Sequence, residues 1–141
     1  MEIVKCNEVD YETLAGIWER SVLATHSFLR VEDFNEIKTM LIPNYFPNVN
    51  LYAIADNGVY AGFIGMSHNS IEMLFIDSDR RGQGYGSALI EFAKQRGATK
   101  VDVNEQNLSA LNFYKLKGFR IISRNETDDA GRPYPILHLS L

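Results

Sequence analysis

Residues 70–93 read SIEMLFIDSDRRGQGYGSALIEFA. The first seven alternate like a strand: Ile71, Met73 and Phe75 fall on one face, Glu72, Leu74 and Ile76 on the other. The period then changes. Tyr85, Ala88, Leu89, Phe92 and Ala93 recur at helical spacing. Between the two lies Asp79-Arg80-Arg81-Gly82-Gln83-Gly84-Tyr85-Gly86-Ser87, a glycine loop that leaves a strand and opens a helix. The first N–H groups of a helix have no internal partner, and the helix dipole places about half a positive charge there. Three alternating glycines let a ligand approach the backbone, and Arg80 and Arg81 add formal charge. The segment predicts a phosphate-binding turn.

Working outward, the rest of the chain alternates strands and helices. Residues 2–6 are β-prone. Asp10 is placed to cap a helix of about 10–26, in which Leu14, Trp18 and Val22 recur at helical spacing. A second helix, about 31–42, carries Phe34, Ile37, Met40 and Leu41 and ends near Pro43. Two strand-like runs in 51–67 flank Asn57-Gly58, a strong hairpin signal. After the glycine loop and its helix, Gly97 precedes a strand at 99–103. A helix over 107–117 is closed by Gly118, and strands at about 119–126 and 134–140 finish the chain. The order is β-α-α-β-β-β-α-β-α-β-β. That predicts one mixed α/β domain over residues 1–141, with helices on the faces of its sheet.

Composition narrows the function. The chain has 141 residues, 45% hydrophobic and 11% aromatic, which suits a single folded domain and is too short for a TIM barrel. The net charge of −4 speaks against nucleic acid held on a basic face and for a cationic partner. No basic leader, membrane-length apolar run or cysteine–histidine metal cluster stands out. Cys6 is the single cysteine and reads as a small buried hydrophobe. A reduced cytoplasmic protein without a metal, monomer or homodimer, is expected.

The phosphate ligand is not a P-loop nucleotide, since Gly-Lys-Ser/Thr is absent. A dinucleotide fingerprint fails at Ser87, although Asp102 ends the next strand where a ribose-binding acid would sit. A nucleotide-cofactor enzyme therefore stays open as an alternative on spacing alone. The spacing that fits is R-x-x-G-x-G, Arg81 to Gly86. With the preceding LFIDSD it resembles the acyl-CoA-binding motif of the GNAT superfamily of N-acetyltransferases. A second block, Asn107-Leu-Ser-Ala110-Leu-Asn-Phe113-Tyr114-Lys-Leu-Lys-Gly118-Phe119, resembles the same family independently. The segments 17–29, 103–107 and the RPYPIL near the end look like a bacterial subgroup, the YjaB type, of peptidyl-lysine or generic N-acetyltransferases.

The resemblance implies an enzyme that moves acetyl from acetyl-CoA to a primary amine by direct attack in a ternary complex. The cofactor arm would lodge where strands 70–76 and 99–103 splay apart. Leu74, Phe75 and Ile76 would bond the pantetheine amides, and Gly82, Gln83, Gly84, Tyr85, Gly86 and Ser87, with Arg81, would hold the diphosphate. Asn107 would bond the arm or cap its helix. Tyr114 would act as general acid toward the departing thiolate. For the base the candidates are Glu72 first, then Asp102, His68 and His26. Trp18 and His26 are candidate walls of the acceptor pocket. A non-catalytic acyl-CoA sensor of the same fold is the rival reading, and the intact Tyr114 counts against it.

Overall fold

Asn57 and Gly58 take φ of 53° and 77°, the positive values that a tight two-residue hairpin turn requires. They join β2 (Asn50–Asp56) to β3 (Val59–Ser67), and β4 (Ser70–Ile76) follows through a second tight turn at His68. The computed structural model describes residues 1–141. The remaining strands are β1 (Glu2–Lys5), β5 (Lys100–Asn104), β6 (Arg120–Asn125) and β7 (Ile136–Ser140). All seven form one sheet in the order β1-β2-β3-β4-β5-β7-β6. Only β4 and β5 are parallel neighbours, joined by the crossover helix α3 (Tyr85–Gln95). The other helices are α1 (Tyr11–Thr25), α2 (Val31–Met40) and α4 (Leu108–Leu116). The order of main elements is the one expected. No helix is long and apolar enough to cross a membrane.

Two apolar layers hold the sheet. In one, Leu14, Ile17, Trp18 and Val22 of α1 meet Phe46, Leu51, Ala53 and Phe63. In the other, Tyr85, Leu89, Ile90 and Ala93 of α3 pack with Ile54, Ile64, Val101 and Leu139. Cys6 is buried, as expected. It follows β1 directly, and burial pushes its thiol up to about 11.

Three local expectations are corrected. Asp10 makes no side-chain cap on α1. The chain enters through a single 3-10 turn at Glu8–Asp10, which Asn7 caps, and the Asp10 carboxylate accepts the Asn7 N–H at 3.0 Å. The second helix does not stop at Pro43; α2 runs on into a π turn over Leu41–Tyr45. The simple alternation in β4 also fails. Gly65 pairs with Met73 and Met66 with Ile71, so Glu72 is an extra residue with no partner across the ladder. The bulge resets the faces: Ile71 now shares a layer with Leu74 and Ile76, while Met73 and Phe75 face the α1 layer.

Gly62 fixes how closely β3 and β4 approach. A Cβ there would lie 2.6 Å from Ile76 Cδ1 and 2.8 Å from the Phe75 carbonyl oxygen. The backbone cannot yield without moving the strand edge that lines the cleft described below. Gly62→Ala is expected to cost about 1–3 kcal/mol through overpacking. Urea unfolding checks this: the midpoint should fall with the m-value unchanged.

Candidate active site

β4 and β5 pair at two positions only, Ser70 with Lys100 and Ile71 with Val101. Beyond the Glu72 bulge the strands part. The opening forms a cavity of about 520 Å³, walled by the second half of β4, β5, the glycine loop and α4. Leu74, Phe75 and Ile76 line it. All three also pair with β3 on their other side, through Ile64, Phe63 and Gly62.

The glycine loop closes one end. Gly82 and Gly84 hold φ of 76° and 88°, and a Cβ on either would meet only open space. Their glycines therefore serve the turn itself, which L side chains adopt at a cost. Gly84 caps α3, leaving the N–H groups of Tyr85, Gly86 and Ser87 without helical partners. Gly86 serves another purpose: its Cβ would sit 3.3 Å from Phe113 Cζ, so its smallness lets α3 approach α4. Gly82, Gly84, Tyr85, Gly86, Ser87 and Arg81 all line the cavity; Gln83, an expected member, does not. Arg80 lines it too, and Arg81 Nη2 donates to Ser109 Oγ at 3.4 Å. The Tyr85 hydroxyl is spent on Asp56 Oδ2 at 2.6 Å, so this residue offers the cavity its backbone rather than its phenol.

A salt bridge anchors the loop from behind. Arg20 Nε and Nη2 on α1 donate to the two carboxylate oxygens of Asp77, at 2.9 and 2.8 Å. Asp77 Oδ1 also accepts the Ser78 N–H at 2.8 Å. Ser21, Thr25 and His26 of the same helix end reach the cavity, so one element braces the loop and walls the cleft. Nothing in the spacing of Arg20 and Asp77 signalled this, because the pair spans 57 positions.

Tyr114 of α4 is buried against Phe113 and Phe119, with ring centroids 5.5 and 5.8 Å away. The hydroxyls of Tyr60, Tyr85 and Tyr134 are tied to Asp10, Asp56 and Asp33. The Tyr114 hydroxyl has no such partner, and its residue lines the cleft. Burial holds the phenol above its ordinary range, so it stays protonated and donates. Asn107 lines the cavity and also caps α4, accepting the Ala110 N–H at 3.2 Å.

Glu72 stands on the bulge at the cleft wall. Its carboxyl is raised, first by burial and then by the Asp102 and Asp129 charges. Asp102 lines the cleft as well, and its Oδ1 lies 2.7 Å from His138 Nδ1. His26 reaches the cleft, where burial lowers it to about 4; it is neutral at pH 7. Two further candidates lie outside this cleft. His68 sits exposed in the β3–β4 turn. Trp18 stacks on Phe34, with centroids 5.1 Å apart, and lines an adjoining cavity.

The family described as Acetyltransferase (GNAT) domain matches residues 22–134. The chain belongs to this GNAT acetyltransferase family. The chain is 42% identical over 130 residues to the peptidyl-lysine N-acetyltransferase YjaB of Salmonella typhimurium, covering 91% of this chain and 89% of that one. The solution structure of apo-form YjaB from Escherichia coli superposes with a TM-score of 0.91 at 38% identity, covering 99% and 95% of the two chains. The structure of yncA from Salmonella typhimurium with its cofactor acetyl-CoA shares the fold at a TM-score of 0.64 and 19% identity, over 100% of this chain and 92% of that one. The protein is accordingly an acyltransferase of the GNAT type, and the nucleotide-cofactor alternative falls away.

The Arg20–Asp77 brace carries a pH signature. Arg20 holds the Asp77 carboxyl below the usual carboxylate range. The stability it contributes is present above the unfolded carboxyl pKa, near 3.9, and is lost as pH falls through the lower folded value. Asp77→Asn should therefore be less stable than the parent at pH 7, by about 1–2 kcal/mol because the half-exposed Arg20 is screened. In urea melts run at descending pH, that gap should close below about pH 4.

Proposed function

We propose that the cleft transfers acetyl from acetyl-CoA to the side-chain amine of a protein lysine. The observation that carries this reading is the free Tyr114 hydroxyl facing a cleft whose far end is a row of unpartnered N–H groups. The diphosphate sits on the N–H groups of Gly82 and of Gly84 to Ser87, with Arg80 and Arg81 supplying charge. Gln83, outside the cavity lining, serves the turn between them. The free backbone edge of Leu74 to Ile76, exposed where β5 departs, bonds the pantetheine amides as a short added strand. Asn107 supports that arm. The choice of lysine draws on the named activity of the YjaB relatives. The single buried cysteine suits a reducing cytoplasm.

Lysine arrives as an ammonium, with an ordinary pKa near 10.4, and must lose a proton before it attacks. Glu72 takes that proton. Its raised carboxyl makes it a stronger base than an ordinary glutamate, and together with Asp102 it draws a cation to the cleft. The amine nitrogen then bonds to the acetyl carbon, the carbon–sulfur bond breaks, and the electron pair leaves on sulfur. The amine's second proton ends on the CoA thiol, so one proton in all is released to water through Glu72. A phenol held above its ordinary range is too weak an acid to protonate a thiolate outright. Tyr114 acts by donating a hydrogen bond to the sulfur as charge develops there. His26, neutral in the wall, leaves the cationic amine unopposed.

Thiol release from acetyl-CoA with a lysine peptide tests the roles. Tyr114→Phe should lower kcat about 100-fold, the loss of one donor aimed at developing charge, and leave the KM for acetyl-CoA unchanged. Full activity in this variant would remove Tyr114 from the reaction.

A further inference from the structure

A second cavity, of about 470 Å³, opens beside the cleft beneath α1 and α2. Its lining overlaps that of the cleft. Glu72, Met73 and Phe75 line both cavities, so the β4 bulge forms their common wall. Its volume lies within the range of ligand pockets, roughly 300–1,000 Å³. Trp18, Ile37, Leu41 and Val49 make much of its surface. Three uncharged polar residues, Asn44, Asn48 and Ser67, stand among them, and Glu72 is the sole carboxylate and no lysine or arginine takes part. Leu41, Asn44 and Tyr45 of the lining belong to the π turn at Leu41–Tyr45, an irregularity frequent at functional sites.

We infer that this cavity is a side-chain subsite for an uncharged apolar residue within two positions of the acceptor lysine. The inference rests on the lysine reading above. The amine of the acceptor must reach Glu72, and Glu72 borders the second cavity as well. Successive Cα atoms lie about 3.8 Å apart, so a flanking side chain stands only one or two such steps from the residue whose amine meets Glu72. An apolar side chain gains by leaving water there, whereas a charged one would lose its hydration with no lysine or arginine to receive an acid. A basic side chain would compete with the lysine for Glu72.

The chain has one tryptophan, Trp18, and it lines this cavity. Its emission therefore reports occupancy directly. Blocked peptides with lysine between two leucines, two glycines or two glutamates separate the possibilities. Without acetyl-CoA, the leucine peptide should shift Trp18 emission and the other two should not. With acetyl-CoA, kcat/KM by thiol release should be at least about 10-fold higher for the leucine peptide, the scale of discrimination an apolar pocket gives. Asn44→Phe, a filling substitution at an exposed rim position, should erase that preference while N-acetyl-lysine amide, which has no flanking residues, is turned over as by the parent. Equal kcat/KM for the three peptides, with Trp18 emission unmoved, would overturn the subsite. Absence of thiol release from every lysine acceptor would instead sink the lysine reading, and the Trp18 titration would still decide whether the cavity takes an apolar side chain.

Discussion

Two residue pairs between β4 and β5 are the constraint on which the site depends. A parallel pair joined by a helix would ordinarily zip along its length. Here the ladder stops after Ile71 and Val101, next to the unpartnered Glu72. One inserted residue has three consequences at once. It resets the faces of β4, it frees the edge of residues 74–76 on the β5 side, and it brings Glu72 to the wall of both cavities.

The electrostatics are divided along the same opening. One end gathers Arg80, Arg81 and the helix N–H groups; the other gathers Glu72 and Asp102. That division explains how a chain of net charge −4 can hold a polyanion. The positive end is local and built from backbone as much as from side chains, and the cleft's two carboxylates, Glu72 and Asp102, stand apart from it. Arg20 and Asp77 connect the two, since the helix that braces the glycine loop also places Thr25 and His26 in the cleft wall.

Much of this was legible in the sequence. The hairpin at Asn57-Gly58, the change of period after Ile76 and the glycine at the head of α3 are local signals, and each states its own geometry. The two motif blocks then tied the loop to Tyr114 across the intervening strand. What escaped was set by distant contacts. The bulge is a disagreement between two strands and has no mark in either. The Arg20–Asp77 and Asp102–His138 pairs join residues 57 and 36 positions apart. Trp18 sat on the right helix, but one helical face away from the cleft, where Phe34 of α2 captures it. Gly86 looked like part of the phosphate turn and turned out to matter for the approach of Phe113.

We propose that the acyl donor lies in the opening between β4 and β5, on the backbone of residues 74–76 and 82–87. Amide spectra of ¹⁵N-labelled protein titrated with acetyl-CoA address it directly. The amides of Leu74 to Ile76 and Gly82 to Ser87 should move most and saturate together. Saturable binding that leaves both segments unmoved, with the changes confined to another part of the sheet, would contradict it.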